Sequence, residues 1–348
     1  VYVVFLELVV RGGITEVVVQ RKNLSELDKD TAFWVSAFLG VVAYALSIIL
    51  APFVATWTHQ EEMKDLIQWM ALGILPIAFT RVQEGMLIRE MEFKKLALRR
   101  MFATLAGAVA GITMALQGYG VWSLVGQQLI DRLVDFIALN WFSKWHPGWK
   151  FSLRSLQEMG DYSFKIIATN VVYFVNTQVD RLIIGQLLGA GALGVYVVGR
   201  RLADVLFAMV SNLFSRVSFS VFSRLQDDKE KTQNAYLKVS SIATLLSVPL
   251  FAFLVLEGAV ITLLLFGSKW SDAGTVAQLA GVSALFKAML IFSAPLLKAL
   301  GYPGSVFRAL ALQSLVGPLL SIMVYPFGLY AVAAVWVLGE ITVPFALA

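Results

Sequence analysis

Fifteen of the ionisable residues inside otherwise apolar stretches are where this sequence can do chemistry. The basic ones are Arg11, Arg81, Arg132, Lys165, Arg181, Arg200, Arg201, Arg216 and Lys287; the acidic ones are Glu7, Glu84, Asp131, Asp135, Asp180 and Asp204. A charge facing lipid at mid-bilayer costs roughly 2.5–3.5 kcal/mol. Such residues must therefore end near a headgroup, pair with one another, or face a wet interior. Their spacing supports a wet interior. Lys165, Thr169, Tyr173, Asn176 and Asp180 step by four, four, three and four, which is one face of a helix. Arg200 or Arg201, Asp204, Ser211, Ser215 and Ser218 line a second helix in the same way, and Gln128, Asp131, Arg132 and Asp135 mark a third. Polar stripes on several helices of one bundle predict a shared aqueous cavity, with Asn176, Asp180, Asp204, Asp131 and Asp135 among its polar lining.

Local pairing is the competing reading. Arg81 with Glu84, Arg132 with Asp135, and Arg200 with Asp204 stand three or four residues apart, so each pair can neutralise itself. Arg11, Lys165, Arg216 and Lys287 are read as lacking a partner at those spacings, and are expected to face the cavity or to snorkel. A cavity with surplus positive charge attracts an anion such as a phosphate. The expected chemistry is binding rather than bond-making. Cysteine is absent and only His59 and His146 are present, which excludes a cysteine nucleophile, a thiolate metal site and a multi-histidine metal centre. Nothing supplies an activated nucleophile, so the chain is not read as an enzyme and needs no resident metal.

The elements that position these charges follow from composition. The 348 residues are 58% hydrophobic and 15% charged, with mean hydropathy +0.75. Soluble domains carry roughly 25% charged residues, so a water-soluble enzyme is excluded. Disorder is excluded too, because 12% of the residues are aromatic. The fold class is an all-α polytopic membrane protein. Eleven apolar stretches are long enough to span: roughly 1–19, 31–56, 66–88, 101–117, 121–142, 160–187, 192–223, 239–256, 274–297, 306–325 and 328–348. Seventeen Lys and Arg fall in one set of alternate loops and two, Lys64 and Lys269, in the other. The richer set is cytoplasmic by the positive-inside rule. The net charge of +5 therefore reports orientation rather than nucleic-acid binding. Trp141, Trp145 and Trp149 cluster at the cytoplasmic edge, and 150–159 reads as a short interfacial helix and linker.

Two weak matches suggest a parallel repeat: Gly120-Val121-Trp122-Ser123-Leu124 with Gly328-Leu329-Tyr330-Ala331-Val332, and Gln20 with Gln226. The offsets make two lobes of six helices each, 1–145 and 160–348 joined by the linker 146–159, with the first helix of the twelve absent. The chain begins without Met, and a longer parent protein is expected. Other motifs carry less. Gly189, Gly191 and Gly194 spell a dinucleotide-type pattern, but between two spans they read as a tight turn. Gly107 and Gly111 predict close helix packing. Asn23-Leu24-Ser25 is a sequon on the cytoplasmic side, and Asp227-Asp228 reads as a solvated turn. Pro76, Pro249 and Pro295 fall within spans, where they bend helices.

Longer motifs carry a resemblance. Asn176-Thr177-Gln178-Val179-Asp180-Arg181-Leu182-Ile183-Ile184-Gly185, then Leu187-Leu188-Gly189 and Leu193-Gly194-Val195-Tyr196, resembles the seventh-to-eighth helix segment of bacterial polysaccharide flippases. Phe222-Ser223-Arg224-Leu225-Gln226-Asp227-Asp228 is similar to the cytoplasmic end of their eighth helix. Val19-Gln20-Arg21-Lys22 with Thr31-Ala32-Phe33-Trp34 resembles their second-to-third helix junction, and Gly118-Tyr119-Gly120-Val121-Trp122-Ser123-Leu124 the start of their sixth helix. The closest type is the colanic-acid and O-antigen lipopolysaccharide biosynthesis protein of the multidrug/oligosaccharidyl-lipid/polysaccharide exporter superfamily.

The resemblance implies two six-helix lobes around a central cavity in the bacterial cytoplasmic membrane. It also implies alternating access that carries a polyprenyl-diphosphate-linked oligosaccharide to the outer leaflet. By position, the diphosphate-binding role falls to Arg11, Lys165, Arg181 and Arg201. Implied partners are the lipid-linked oligosaccharide and membrane lipids, with polysaccharide polymerase and export machinery beyond them. No cofactor is implied, and coupling to H+ or Na+ stays open. A stretch lacking the first helix is not expected to transport alone. The alternative within the superfamily is a drug or cation antiporter, which favours acidic cavity residues; among the fifteen residues singled out, nine bases against six acids weigh against it. A membrane glycosyltransferase would need a longer loop than any here, and a transport-free scaffold predicts indifference to charge removal.

Overall fold

The computed structural model describes residues 2–347 except 12, 22, 59, 226–227, 294–295 and 298–302, and describes side chains except at 161–162, 165, 169, 173, 176, 212–225, 229, 303–304, 306–307 and 340–347. Among the described residues there is no strand. The helices are α1 (Tyr2–Arg11), α2 (Ile14–Gln20), α3 (Glu26–Thr58), α4 (Glu62–Leu72), α5 (Ile74–Ala78), α6 (Arg81–Arg89), α7 (Phe93–Leu116), α8 (Trp122–Phe142), α9 (Leu153–Leu187), α10 (Gly189–Leu225), α11 (Lys229–Phe266), α12 (Ala273–Met289), α13 (Pro303–Val324) and α14 (Leu329–Leu347). The chain forms two compact units, Val1–Tyr173 and Phe174–Ala348, divided within α9.

The all-helical membrane architecture stands. Among the described residues, α3, α7, α11 and Arg308–Phe327 are long and apolar enough to cross a bilayer unaided. Of the other expected spans, α8 carries Asp131, Arg132 and Asp135, which lower its hydropathy, and those over 1–19 and 66–88 are interrupted. The stretch read as one span over 66–88 is α4, α5 and α6, with a 43° bend between Glu62–Ala78 and Arg81–Arg89. Pro76 has no N–H to give the helix, and side chains take up the carbonyls freed at the bend. Thr80 Oγ1 donates to Pro76 O and Ile77 O, Arg81 Nε donates to Ile77 O, and Ser36 Oγ donates to Ala78 O. The first span breaks likewise into α1 and α2. Gly13 there has φ +70°, and a Cβ on it would meet Ile166 at 2.9 Å.

Small residues turn inward and large ones face lipid, as packing in a bilayer demands. On α3, Ser36, Gly40, Ala43, Ser47, Ala51 and Ala55 form one buried stripe, while Phe38 and Phe53 on other faces are 67% and 68% exposed. Gly107 and Gly111 admit Gln127 and Asp131 of α8, so α7 and α8 pack closely. In the second unit Gly274 lies on Ala259, and Gly199 lies on Ala273 and Val276. Phe251, Leu254, Ala277 and Ala284 form the core between α10, α11 and α12.

Helix ends obey local rules. Ser25 and Asp28 cap α3 reciprocally: the Ser25 N–H donates to Asp28 Oδ2 at 3.0 Å and the Asp28 N–H to Ser25 Oγ at 3.1 Å. That is the work the sequon serine does. Asp228 caps α11 by accepting from the Lys231 N–H at 3.0 Å. Of the glycine motif, only Gly189, at φ +88°, makes the tight turn between α9 and α10; Gly191 and Gly194 lie within α10. The linker is strapped to α3. Trp34 Nε1 donates to Gly148 O, and the Gly148 N–H donates to Asp30 Oδ1. The Ser152 N–H donates to Thr31 Oγ1, and Trp145 Nε1 to Glu26 Oε2. The expected short interfacial helix is instead the first part of α9, which continues unbroken from Leu153.

Candidate functional site

The buried charges gather in two places, one in each unit. In the first unit α1 brings Glu7 and Arg11, α6 brings Arg81 and Glu84, α7 brings Arg99 and Arg100, and α8 brings Asp131, Arg132 and Asp135. Glu84 is the hub: Arg81 binds one of its oxygens at 2.8 Å and Arg99 the other at 2.5 Å. Arg99 also reaches Asp135 at 3.3 Å. Arg132 reaches both oxygens of Glu7, at 3.1 and 3.2 Å, and Arg11 lies 3.9 Å from the same carboxylate. Arg100 pairs with Asp131 at 3.1 Å. Carboxylates shared between arginines satisfy the bidentate geometry that buried guanidinium groups need.

Three expectations change here. The Arg81–Glu84 pair forms, but Arg132 takes Glu7 rather than Asp135, because the close α7–α8 contact delivers Arg99 to Asp135. Arg11 is not without a partner, since Glu7 stands one helical turn before it. Arg99, counted among loop residues, lies within α7 and is 8% exposed. The helical pattern continuing through 93–116 is the signal that places it inside. Asp131 and Asp135 are thus members of ion pairs, and Arg11 is half-exposed at the network's edge.

In the second unit, α9 carries Asp180 and Arg181, and the Gly189 turn folds α10 back so that Tyr196 and Arg200 face them. The Tyr196 hydroxyl donates to Asp180 Oδ2 at 2.6 Å, and Arg200 Nη1 donates to the same oxygen at 2.6 Å and to the Tyr196 oxygen at 2.7 Å. The Arg181 backbone N–H donates to Asp180 Oδ1. Asp180 is 1% exposed and Tyr196 2%. The long motif around Asp180 therefore has a physical content: it builds one buried triad across a tight turn. Arg200 Nε also lies 3.5 Å from Asp204 Oδ1, and Arg181 Nη2 lies 3.7 Å from Asp204 Oδ2.

Beside the triad opens a cleft between α10, α12 and α14, lined by Tyr196, Arg200, Asp204, Phe207, Ser283, Lys287 and Trp336 among others. It brings together three residues singled out from sequence, Arg200, Asp204 and Lys287. Arg201 is exposed and outside this lining, because one residue turns a helix by about 100°. Tyr196, Ser283 and Trp336 were not foreseen. Tyr196 stands four residues before Arg200 and could have been read as its partner; Trp336 is flanked by apolar residues from 331 to 338. The side chains of Lys165, Asn176 and Arg216 lie outside the described residues. In the first unit a second pocket, lined by Ile14, Val35, Leu39, Met159, Ser163 and Ile167 among others, is almost wholly apolar.

Similarity to known proteins agrees with this architecture. The chain is 25% identical over 279 residues to the lipopolysaccharide biosynthesis protein WzxC of Escherichia coli strain K12, covering 80% of this chain and 57% of that protein. It is 27% identical over 287 residues to the succinoglycan biosynthesis transport protein ExoT of Rhizobium meliloti strain 1021, covering 82% and 57%. The chain thus spans a little over half the length of these relatives. Among solved structures, the lipid II flippase MurJ in an inward closed conformation superposes with TM-score 0.81 at 15% identity, covering 99% of this chain and 77% of that one. An inward-facing multidrug resistance MATE transporter gives TM-score 0.71 at 16% identity, covering 99% and 85%. These likenesses show the fold, an all-helical architecture. The family described as polysaccharide biosynthesis protein matches residues 1–275, and the chain belongs to that family.

Proposed function

We propose that the protein to which this chain belongs flips polyprenyl-diphosphate-linked oligosaccharides across the bacterial cytoplasmic membrane by alternating access, for cell-surface polysaccharide synthesis. The observation that carries the reading is the unit-two cleft. Arg200, Lys287 and the neighbouring Arg181 stand with the carboxylates Asp180 and Asp204 within a membrane-embedded helical unit. Guanidinium and ammonium groups in a low dielectric attract a diphosphate strongly. Membership of a polysaccharide biosynthesis family and similarity to proteins named for lipopolysaccharide and succinoglycan synthesis support the sugar-linked cargo. On this reading Arg181 serves the diphosphate together with Arg200, while Arg11, Lys165 and Arg201 are further cationic positions to test. Membrane lipids, a polysaccharide polymerase and export machinery are the partners, H+ or Na+ is the coupling ion, and no catalysis is involved.

The test uses the full-length protein in sealed vesicles containing a fluorescent polyprenyl-diphosphate oligosaccharide. The rate at which a membrane-impermeant reagent reaches the inner-leaflet pool is followed. Faster exposure, lost in R181Q and R200Q, is the expected result. No acceleration for several glycans, with or without an ion gradient, would overturn the flippase reading and make cationic dyes the next substrates.

A further inference from the structure

The two carboxylates near Arg200 are held very differently. Asp180 is 1% exposed and sits 2.6 Å from both Arg200 and the Tyr196 hydroxyl. Asp204 has a side chain 44% exposed, and its contacts to Arg200 and Arg181 are 3.5 and 3.7 Å. The second of these exceeds hydrogen-bond length. Arg181 is accordingly under-satisfied: its Nη1 donates to Gln178 Oε1 at 3.1 Å, but its Nε is buried and has no partner. A guanidinium has five donors and is costly to bury with any of them idle. Arg181 thus presents unfilled donor capacity, and Arg200 only a long 3.5 Å contact, to a carboxylate that sits loosely between them, beside the cleft.

We propose that Asp204 is a built-in competitor that occupies, between Arg181 and Arg200, the place taken by the anionic phosphate groups of a diphosphate ligand. The inference rests on the flippase reading only for the origin of that diphosphate. Asp180 and Tyr196 fix Arg200 from behind and are not exchanged. An incoming diphosphate offers more acceptor oxygens than Asp204, displaces it towards the cleft, and completes both arginines. When the ligand leaves, Asp204 returns, so neither guanidinium is stranded. Release is easier than from a permanently open arginine pair, and this is what a carrier needs at the end of its cycle.

The test is a titration of the purified full-length protein with inorganic pyrophosphate, and in parallel with polyprenyl diphosphate in nanodiscs. The variants are D204N, D204S, R181Q and the D204N/R181Q double variant. Removing a competitor of surface-pair strength raises affinity by roughly three- to tenfold in D204N and D204S. The gain shrinks in the R181Q background, since one of the two arginines that Asp204 occupies is gone. Gain with both ligands assigns the site to the diphosphate itself, and gain with the lipid alone assigns it to a headgroup presented in a bilayer. Unchanged or weaker binding in D204N and D204S overturns the proposal, because Asp204 would then support the site rather than compete for it. The flippase reading fails separately, through absent lipid translocation, and tighter pyrophosphate binding in D204N would survive that failure.

Discussion

The two charged networks use the same residue types to opposite ends. In the first unit Glu84 is held by Arg81 and Arg99, Glu7 by Arg132 and Arg11, and Asp135 by Arg99. The side chains of Glu7, Glu84, Asp135, Arg81, Arg99 and Arg132 are each at most 18% exposed, and each of the three carboxylates has an arginine within 3.3 Å. In the second unit one carboxylate, Asp180, is held as tightly, while Asp204 is half-exposed and loosely shared. Burial and multiplicity of partners, rather than residue type, separate a charge that holds helices together from one that can exchange partners.

The sharpest break would come at Glu84. E84Q leaves Arg81 and Arg99 without a counter-charge at one shared point, and the expected loss is about 3–5 kcal/mol of unfolding free energy, read by thermal denaturation in detergent. A loss below about 1 kcal/mol would mean that the first network is not structural. D180N comes next. The Asp180 carboxylate accepts from Tyr196, Arg200 and the Arg181 backbone, so its neutralisation costs about 1.5–3 kcal/mol and shows as earlier proteolysis of the second unit. D204N is the sharpening control. With loose, half-exposed contacts it changes stability by about 0–1 kcal/mol, and a loss as large as that of E84Q would erase the contrast between the two regions. R100Q removes the pair to Asp131 from an arginine 54% exposed, and the melting temperature should hardly move.

The smallest effect is one of pH. Glu158, in the part of α9 that precedes the span, accepts from Arg154 at 2.9 Å and from Arg21 at 2.5 Å. Those hydrogen bonds, from Arg154 first and Arg21 second, hold its carboxyl below the usual carboxylate range. A depressed folded-state pKa stabilises above the unfolded value, and that contribution is lost as pH falls through the folded value. Hydrogen exchange in α2 should therefore quicken on acidification more in the wild type than in E158Q.

Much of this was legible in the residues. The partners of Arg81 and Arg200 at i+3 and i+4 follow from helix geometry, and so does the Glu7 partner of Arg11, which was overlooked. The turn at Gly189 follows from its place between two apolar stretches. What was not legible shares one cause. Arg132 and Glu7 are 125 residues apart, Arg99 and Asp135 are 36 apart, and Tyr196 and Asp180 are 16 apart. No periodicity within a helix relates them.

By itself, the sequence determined that the chain is helical, membrane-embedded and basic on one side, because hydropathy, span length and loop charge are local sums. It also determined that charges would lie inside the membrane, because they sit in the middle of apolar stretches. Only the tertiary structure decided which of those charges are closed and which are open. Glycine stripes such as Gly107 and Gly111 set how near two helices come, and that distance selects the partner each arginine finds. The contrast between Asp180 and Asp204 on a single arginine is a product of that packing, because burial is a property of neighbours and not of the residue that is buried.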